Sequence, residues 1–432
     1  VLRMEIIDRV AKGGTGIVFN YTTLSWLNPA EFRAFYLGRS AIAEYHFNAI
    51  ATLVGSGPST AYPGETEYHY SITLTHKLPD NRPLQIGDRV ELELSQFLGS
   101  VRNGQNNYYG TTVLYVVGEG IVPWYEEREY VVGGSRDSRR LPEDAWLGGL
   151  TTLPYQYSNE PQHRFKQMAG NIAPASGVDF LLGRQLHHTD FTTGAHSEPG
   201  NPVFAQQMNK VGPKFVAQSC VACHVNNGRS LLPAVGATID RAVVKVGASA
   251  DGTPHPLLGE QLQPHAVGGT PEAGVKLAGF TETTGAYGDG TAYTLRKPVL
   301  EFSGVTPSFY SLRVAPQLIG LGLLEAVPES TILALADPTD ANKDGISGRI
   351  HVVQDPENEF ALRLGRFTYK GAMATVRHQI AYAFNQDMSV TSDIFPILDG
   401  ETTPRPPEIS AAELDRMSRY TALLGVGARR NL

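Results

Sequence analysis

The sequence predicts an α+β multidomain protein, with an antiparallel β domain over residues 1–155 followed by a mainly α, loop-rich domain over residues 156–432. Three observations carry this expectation. Apolar residues alternate with period two between residues 64 and 124, helical spacing comes only late in the chain, and a compact cysteine–histidine motif stands in the second portion.

In the first portion Tyr68, Tyr70, Ile72 and Leu74 alternate with polar neighbours, and Val90, Leu92 and Leu94 alternate with Glu91 and Glu93. Such alternation buries one face of a strand. Thr111–Val117 is a further β-branched and apolar run ending at Gly118, and Pro79–Pro83 and Asn103–Asn107 carry turn chemistry between the runs. From about residue 125 to 165 the chain turns polar, with Glu126–Glu129 and Ser135–Arg140, which reads as a solvated connector or domain seam.

Helix signals follow. Pro328 fits a first helical position before Glu329–Ala336, and Val376, Ile380 and Phe384 recur at four-residue spacing. Ser410-Ala411-Ala412-Glu413 is a capping box, with Ile409 placed to staple onto Leu414 and with Met417, Tyr420 and Leu424 continuing an apolar stripe that ends at Gly425. No internal repeat or low-complexity tract is visible, which leaves solenoid architectures unsupported.

At 432 residues the chain can hold two or three cores, and a net charge of −7 with scattered lysine and arginine gives no electrostatic reason to expect nucleic acid as a partner. Forty-five glycines and 28 prolines point to long ordered loops. The sequence opens Val1-Leu2-Arg3-Met4 without a charged-then-apolar leader, and it has no apolar run of membrane-spanning length. The expectation is a mature, exported protein with no transmembrane segment, periplasmic or secreted to the cell surface, whose export signal has been removed.

The only two cysteines lie in Cys220-Val221-Ala222-Cys223-His224, so there is no disulfide framework. Two thiols and an imidazole at this spacing fit covalent attachment of one haem c. Each sulfur forms a thioether to a vinyl group, and His224 offers a ring nitrogen to iron. A thioredoxin-like pair needs no histidine after the second cysteine, and a zinc site would lack a closing ligand pair at finger spacing. Thioether attachment is what implies export.

Two further features bear on metal chemistry. Asp340, Asn342 and Asp344 stand at positions one, three and five of a loop followed by Gly345, as a calcium loop of EF-hand type requires, but the twelfth position is His351 instead of glutamate. Calcium binding and an ordinary Asx-rich turn both fit this pattern. For the sixth haem position the sequence offers Met208, Met373, Met388, His255, His265 and the His187-His188 pair without choosing among them.

From Gly183 onward the chain resembles the di-haem oxidoreductase family, relatives of the bacterial di-haem cytochrome c peroxidases. The resemblance rests on Gly212–Phe215 leading into the haem motif, Gln261-Leu262-Gln263, Tyr287–Thr291, Arg313–Pro316, Gly320–Ala326, Asp344–Arg349, and Asp387-Met388 before Phe395-Pro396. It implies that residues 156–432 form a cytochrome c/di-haem-peroxidase-like domain. In the related peroxidases a glutamine and a glutamate handle the protons of peroxide cleavage. Glu325, with Gln317 eight residues earlier, is similar to that pair. Glu325 reads equally as a cap for the helix beginning near Pro328.

The family pattern carries a second haem motif, and this sequence runs to Leu432 with one. The expectation is therefore a haem oxidoreductase of peroxidase type with one covalent haem, a redox partner protein or small electron donor, and a second haem supplied by a C-terminal region or another chain. The alternative is an electron-transfer cytochrome, or a haem-bearing subunit of a larger extracytoplasmic assembly without catalysis of its own.

Overall fold

A computed structural model describes residues 3–28, 30–35, 47–77, 81–102, 105–109, 113–126, 138–153, 161–172 and 176–429. The expected turns at Pro79–Pro83 and Asn103–Asn107, the polar stretch Glu126–Arg140 and the seam at residue 155 fall wholly or partly outside the described residues. The chain divides into two compact units, Val1–Asp179 with Gly425–Leu432, and Phe180–Leu424.

In the first unit the strands are β1 (Arg3–Asp8), β2 (Ile17–Thr23), β3 (Glu31–Phe35), β4 (Phe47–Ile50), β5 (Thr52–Pro58), β6 (Thr66–Leu74), β7 (His76–Lys77) and β8 (Arg82–Pro83). They continue with β9 (Arg89–Arg102), β10 (Gln105–Tyr109), β11 (Val113–Val116), β12 (Gly120–Val122), β13 (Trp124–Glu126) and β14 (Ser138–Arg140). Two antiparallel sheets dominate, one in the order β1-β2-β6-β5 and one in the order β12-β11-β9-β3-β4 with β10 paired to β9. One core takes Ile17, Phe19 and Tyr21 from β2, Tyr70 and Leu74 from β6, Val90 and Leu92 from β9, and Tyr115 from β11. Period-two patterning thus does what it predicts, because successive side chains of a strand face opposite sides. Burying this apolar surface is the main stabilising term of the unit.

The second unit mixes helix and strand, where the sequence led us to expect mainly helix. Its helices are α1 (Ser176–His187, entering from the first unit), α2 (Cys220–Cys223), α3 (Leu321–Ala326), α4 (Glu329–Ala334), α5 (Val376–Met388) and α6 (Ala411–Ala422). Its strands are β15 (Lys214–Phe215), β16 (Ala242–Gly247), β17 (His265–Ala266), β18 (Ala273–Ala286), β19 (Ala292–Gly304), β20 (Phe309–Val314), β21 (Val352–Asp355) and β22 (Ala361–Leu364).

Tyr287–Thr291, one of the stretches that carry the resemblance, lies at the end of the long β18–β19 hairpin. It is also a turn: Gly290 sits at φ 85°, and Tyr287 N–H donates to Thr291 O at 2.9 Å. Val275, Leu277 and Leu300 at its base enter a core with Ile239, Val244 and Leu262.

Helices α1, α5 and α6 enclose a second core of Leu186, Phe191, Ala381, Phe384, Met388, Ile409, Leu414 and Met417. The capping box forms as read, with Glu413 N–H donating to Ser410 Oγ at 3.3 Å and Ser410 N–H to Glu413 Oε2 at 2.9 Å. Thr375 caps α5 through His378 N–H at 2.9 Å. Two readings shift. Pro328 stands at the N-cap of α4 with an extended ψ of 139°, one residue before the helix. Helix α6 stops at Ala422, and Gly425 lies beyond it, where a Cβ would collide with the Leu153 side chain.

Helices α1 and α6 meet at Gly183, where a Cβ would strike the Arg416 carbonyl and approach Tyr420 Cβ to 2.6 Å. Backbone contact this close admits only glycine. Replacing Gly183 with alanine should destabilise the second unit by about 1–3 kcal/mol through overpacking. Urea titration followed by tryptophan-independent circular dichroism checks this, and an unmoved midpoint would show that the crossing is looser than the structure has it.

Candidate functional site: the Cys220–His224 motif

Cys220 and Cys223 lie one turn apart on the short helix α2, both half-buried and both as free thiols not joined to each other. Burial is the main reason that each thiol is pushed up to about 12, and the carboxylate of Asp387 adds to it. The chain then reverses sharply: Asn226 and Asn227 take left-handed φ values of 52° and 61°, a conformation that asparagine tolerates better than most residues.

That reversal lays residues 315–318 along residues 224–230. Ala315 N–H donates to Ser230 Oγ at 3.1 Å, Leu318 N–H to Asn227 O at 2.9 Å, and Arg229 Nε to Gln317 Oε1 at 3.3 Å. Asn227 Nδ2 donates to Tyr420 Oη at 2.7 Å, which ties the same turn to α6.

Between these ties His224 Nδ1 lies 2.8 Å from the carbonyl oxygen of Pro316. A carbonyl can only accept, so Nδ1 carries the proton, and in the neutral ring the lone pair is on Nε2. Burial lowers the His224 pKa, which the bond to Pro316 partly offsets, so the ring favours the neutral form that a metal ligand needs. The donor set fits a covalent haem: two thiols on one turn, and an imidazole whose tautomer is fixed by a backbone acceptor, as is usual behind ligating histidines.

The other sequence-predicted residues are placed elsewhere. Gln317 is exposed, directly after the Pro316 that holds His224. Glu325, at the end of α3, accepts from Val376 N–H at 2.7 Å, so its carboxylate caps α5 and not the helix after Pro328. Each of the two thus has its own partner. In the loop at residue 340 the side-chain oxygens turn to the backbone: Asp340 accepts from Gly345 N–H at 3.2 Å, Asn342 from Asp344 N–H at 3.1 Å, and Asp344 from Ile346 N–H at 2.8 Å. His351 Nδ1 lies 2.8 Å from Lys370 O. These are Asx turns, and among the described residues no group of three or more histidine, cysteine or acidic side chains is arranged to hold a metal ion.

Of the sixth-position candidates, His187 is buried with its ring centre 6.5 Å from that of His224 and 5.2 Å from His188. Met388 and Met373 are buried in apolar clusters, and Met208 is exposed. Sequence reasoning missed Pro316, Asn227 and Ser230, which position the histidine. The stretch Arg313–Pro316 was already visible as part of the resemblance.

Residues 258–404 match the family model described as di-haem oxidoreductase, putative peroxidase. The matched segment, 147 of the 432 residues, is similar to that family. It begins after Cys220–His224 and takes in Gln261–Gln263, Arg313–Pro316, Gly320–Ala326 and Asp387-Met388. The Pro316 carbonyl that orients His224 is thus inside the matched segment. No curated protein and no solved structure matches the chain. Among the described residues no helix is long and apolar enough to cross a membrane.

With the thiols at about 12, only roughly one in 10⁴ is thiolate at pH 8 in chain made without haem attachment. Alkylation of Cys220 and Cys223 should therefore run roughly 10³-fold slower in the folded protein than after unfolding. Mass spectrometry of iodoacetamide-treated samples reads this directly, and equal rates would contradict the burial of the pair.

Proposed function

We propose that this protein is an exported c-type haem oxidoreductase of peroxidase type, carrying one haem bound covalently through Cys220 and Cys223 with His224 as proximal ligand. The observation that supports it best is the 2.8 Å contact from His224 Nδ1 to Pro316 O, which leaves Nε2 as the nitrogen available to iron. The family description adds the oxidoreductase and peroxidase character.

When bound, haem supplies a one-electron iron centre open to electron carriage or to peroxide reduction, depending on its sixth position. The chain's own residues do the rest. The thioethers prevent loss of the group. Pro316 O keeps the His224 ring from rotating and raises the electron density it can donate. In this reading Glu325 moves a proton between the two oxygens of peroxide, with Gln317 assisting; peroxide reduction consumes two electrons and two protons and yields two waters. The electrons come from a redox partner protein or small donor. A second haem, from a C-terminal region or another chain, would relay them, and calcium at Asp340, Asn342 and Asp344 would at most brace the loop.

A second reading is favoured by one observation. The Glu325 carboxylate already holds Val376 N–H, the first residue of α5. If that contact is its whole role, the protein is an electron-transfer cytochrome or a haem-bearing subunit of an extracytoplasmic assembly.

The pyridine haemochrome of protein matured in a periplasm should show one thioether-linked haem per chain. Replacing both cysteines with serine should abolish it, and retention of haem by that variant would overturn the attachment. For the enzyme reading, Glu325→Gln should lower peroxide-dependent donor oxidation by roughly 10²–10⁴-fold. An unchanged rate with intact folding would move the assignment to the electron-transfer reading.

A further inference from the structure

Lys245, Tyr382 and Glu260 come from three places in the second unit and meet at one phenol oxygen, an arrangement that the proposed function does not use. Lys245 Nζ donates to Tyr382 Oη at 2.8 Å, and Tyr382 Oη donates to Glu260 Oε2 at 2.8 Å. The backbone fixes the two outer residues relative to each other. Val246 N–H donates to Glu260 O and Leu262 N–H to Val244 O, both at 3.0 Å, so residues 260–262 run beside β16. Glu260 N–H is itself held by Asp399 Oδ2 at 3.0 Å. Glu260 is exposed and Tyr382 half-buried.

An aromatic neighbour joins Tyr382 to the core that holds Cys220. Its ring meets that of Phe395 edge-on, with centres 5.8 Å apart. Phe395 and Cys220 both pack on the cluster that α5 supplies with Ala381, Phe384 and Met388. The phenol thus touches a residue of that core with its ring and a carboxylate open to water with its oxygen.

We propose that Tyr382 is a redox-active tyrosine that passes electrons, one at a time, from an external one-electron donor toward the haem held at Cys220 and Cys223. The inference rests on the haem reading above. Loss of an electron makes a phenol strongly acidic, and a ring left positively charged beside the Lys245 ammonium in a half-buried site is costly. Electron and proton therefore leave together. The electron goes to the haem once peroxide has oxidised it; the phenolic O–H bond breaks, and its proton forms an O–H bond at Glu260 Oε2, which is within reach of direct transfer. A neutral phenoxyl radical remains. The donor, itself oxidised, returns one electron, and Glu260 returns the proton. Two such turns supply the two electrons that one peroxide consumes. Burial and the Glu260 carboxylate hold the Tyr382 pKa above the ordinary phenol value, so the O–H is present to be given up.

The test is electron paramagnetic resonance of the matured protein frozen after peroxide addition, once the haemochrome assay has established that haem is attached. Wild type should give a neutral tyrosyl radical, identified by narrowing of its signal when the tyrosines are ring-deuterated. Tyr382→Phe should lose the signal, and Glu260→Gln should lose most of it. Tyr115→Phe, which removes a like bond to Asp8 in the first unit, should leave it unchanged. Where the haem does not react with peroxide, flash-generated tris(bipyridine)ruthenium(III) supplies the oxidant, and the same variants should have the same effects.

A haem-loaded wild type with no tyrosyl radical under either oxidant, or with a radical that survives in Tyr382→Phe, overturns the inference while leaving the haem reading intact. A chain without haem overturns the haem reading, and the inference with it. If Tyr382→Phe fails to mature, Glu260→Gln still decides, because its side chain is exposed: an undiminished radical in that variant overturns the inference.

Discussion

For His224 to serve as the proposed ligand its free nitrogen must point one way and keep pointing there, and that requirement falls on a single backbone acceptor, Pro316 O, 92 residues from His224 in sequence. Everything that holds residues 315–318 against residues 224–230 serves that contact. Ser230, Asn227 and Arg229 each contribute one hydrogen bond, of about 1 kcal/mol net apiece, and Asn227 adds the tie to Tyr420. None is strong alone. Their value lies in restricting the loop, because a ring held by one bond on a mobile segment would lose its orientation to entropy.

The same arrangement explains why the left-handed pair Asn226-Asn227 follows the motif. An extended continuation would carry the chain away from Pro316; the reversal brings both the carbonyl and the side chain of Asn227 to bear on neighbouring segments. The close crossing of α1 and α6 at Gly183 bears on the same turn, bringing His187 and Tyr420 together with ring centres 5.4 Å apart while Tyr420 accepts from Asn227. The motif is therefore held both by the hydrogen bonds of residues 315–318 and by residues of the helix crossing.

How much of this was legible differs by the range of the interaction concerned. Period-two runs at Tyr68–Leu74 and Val90–Leu92 and the capping box at Ser410 are local, and the structure follows them, because each is decided by neighbours a few residues away. The spacing from which haem attachment at Cys220–His224 is proposed is likewise local. The β18–β19 hairpin is not legible in this way, because beyond Gly279 its strands are exposed or half-buried on both faces and carry no period-two signal. Pro316 as the acceptor for His224, and Asp387 as the acceptor for Gln261, depend on contacts across tens to more than a hundred residues that no spacing rule encodes.

The structure gives Glu325 one role, and the proposed chemistry would ask a second of it. A carboxylate at the start of α5 is stabilised there by the unpaired N–H of Val376 and by the positive end of the helix. Nearby, Arg366 donates to the carbonyls of Leu324 and Glu325 at 3.0 Å each, which fixes the backbone that presents the side chain. A side chain so held is pre-organised, a condition an acid–base group also needs. But Oε1 is already taken by the Val376 N–H, so a proton moved by Glu325 would meet the helix end at the same oxygen. Capping and proton transfer are thus opposed in energy at Oε1, and the carboxylate can serve both only by using its second oxygen for the proton.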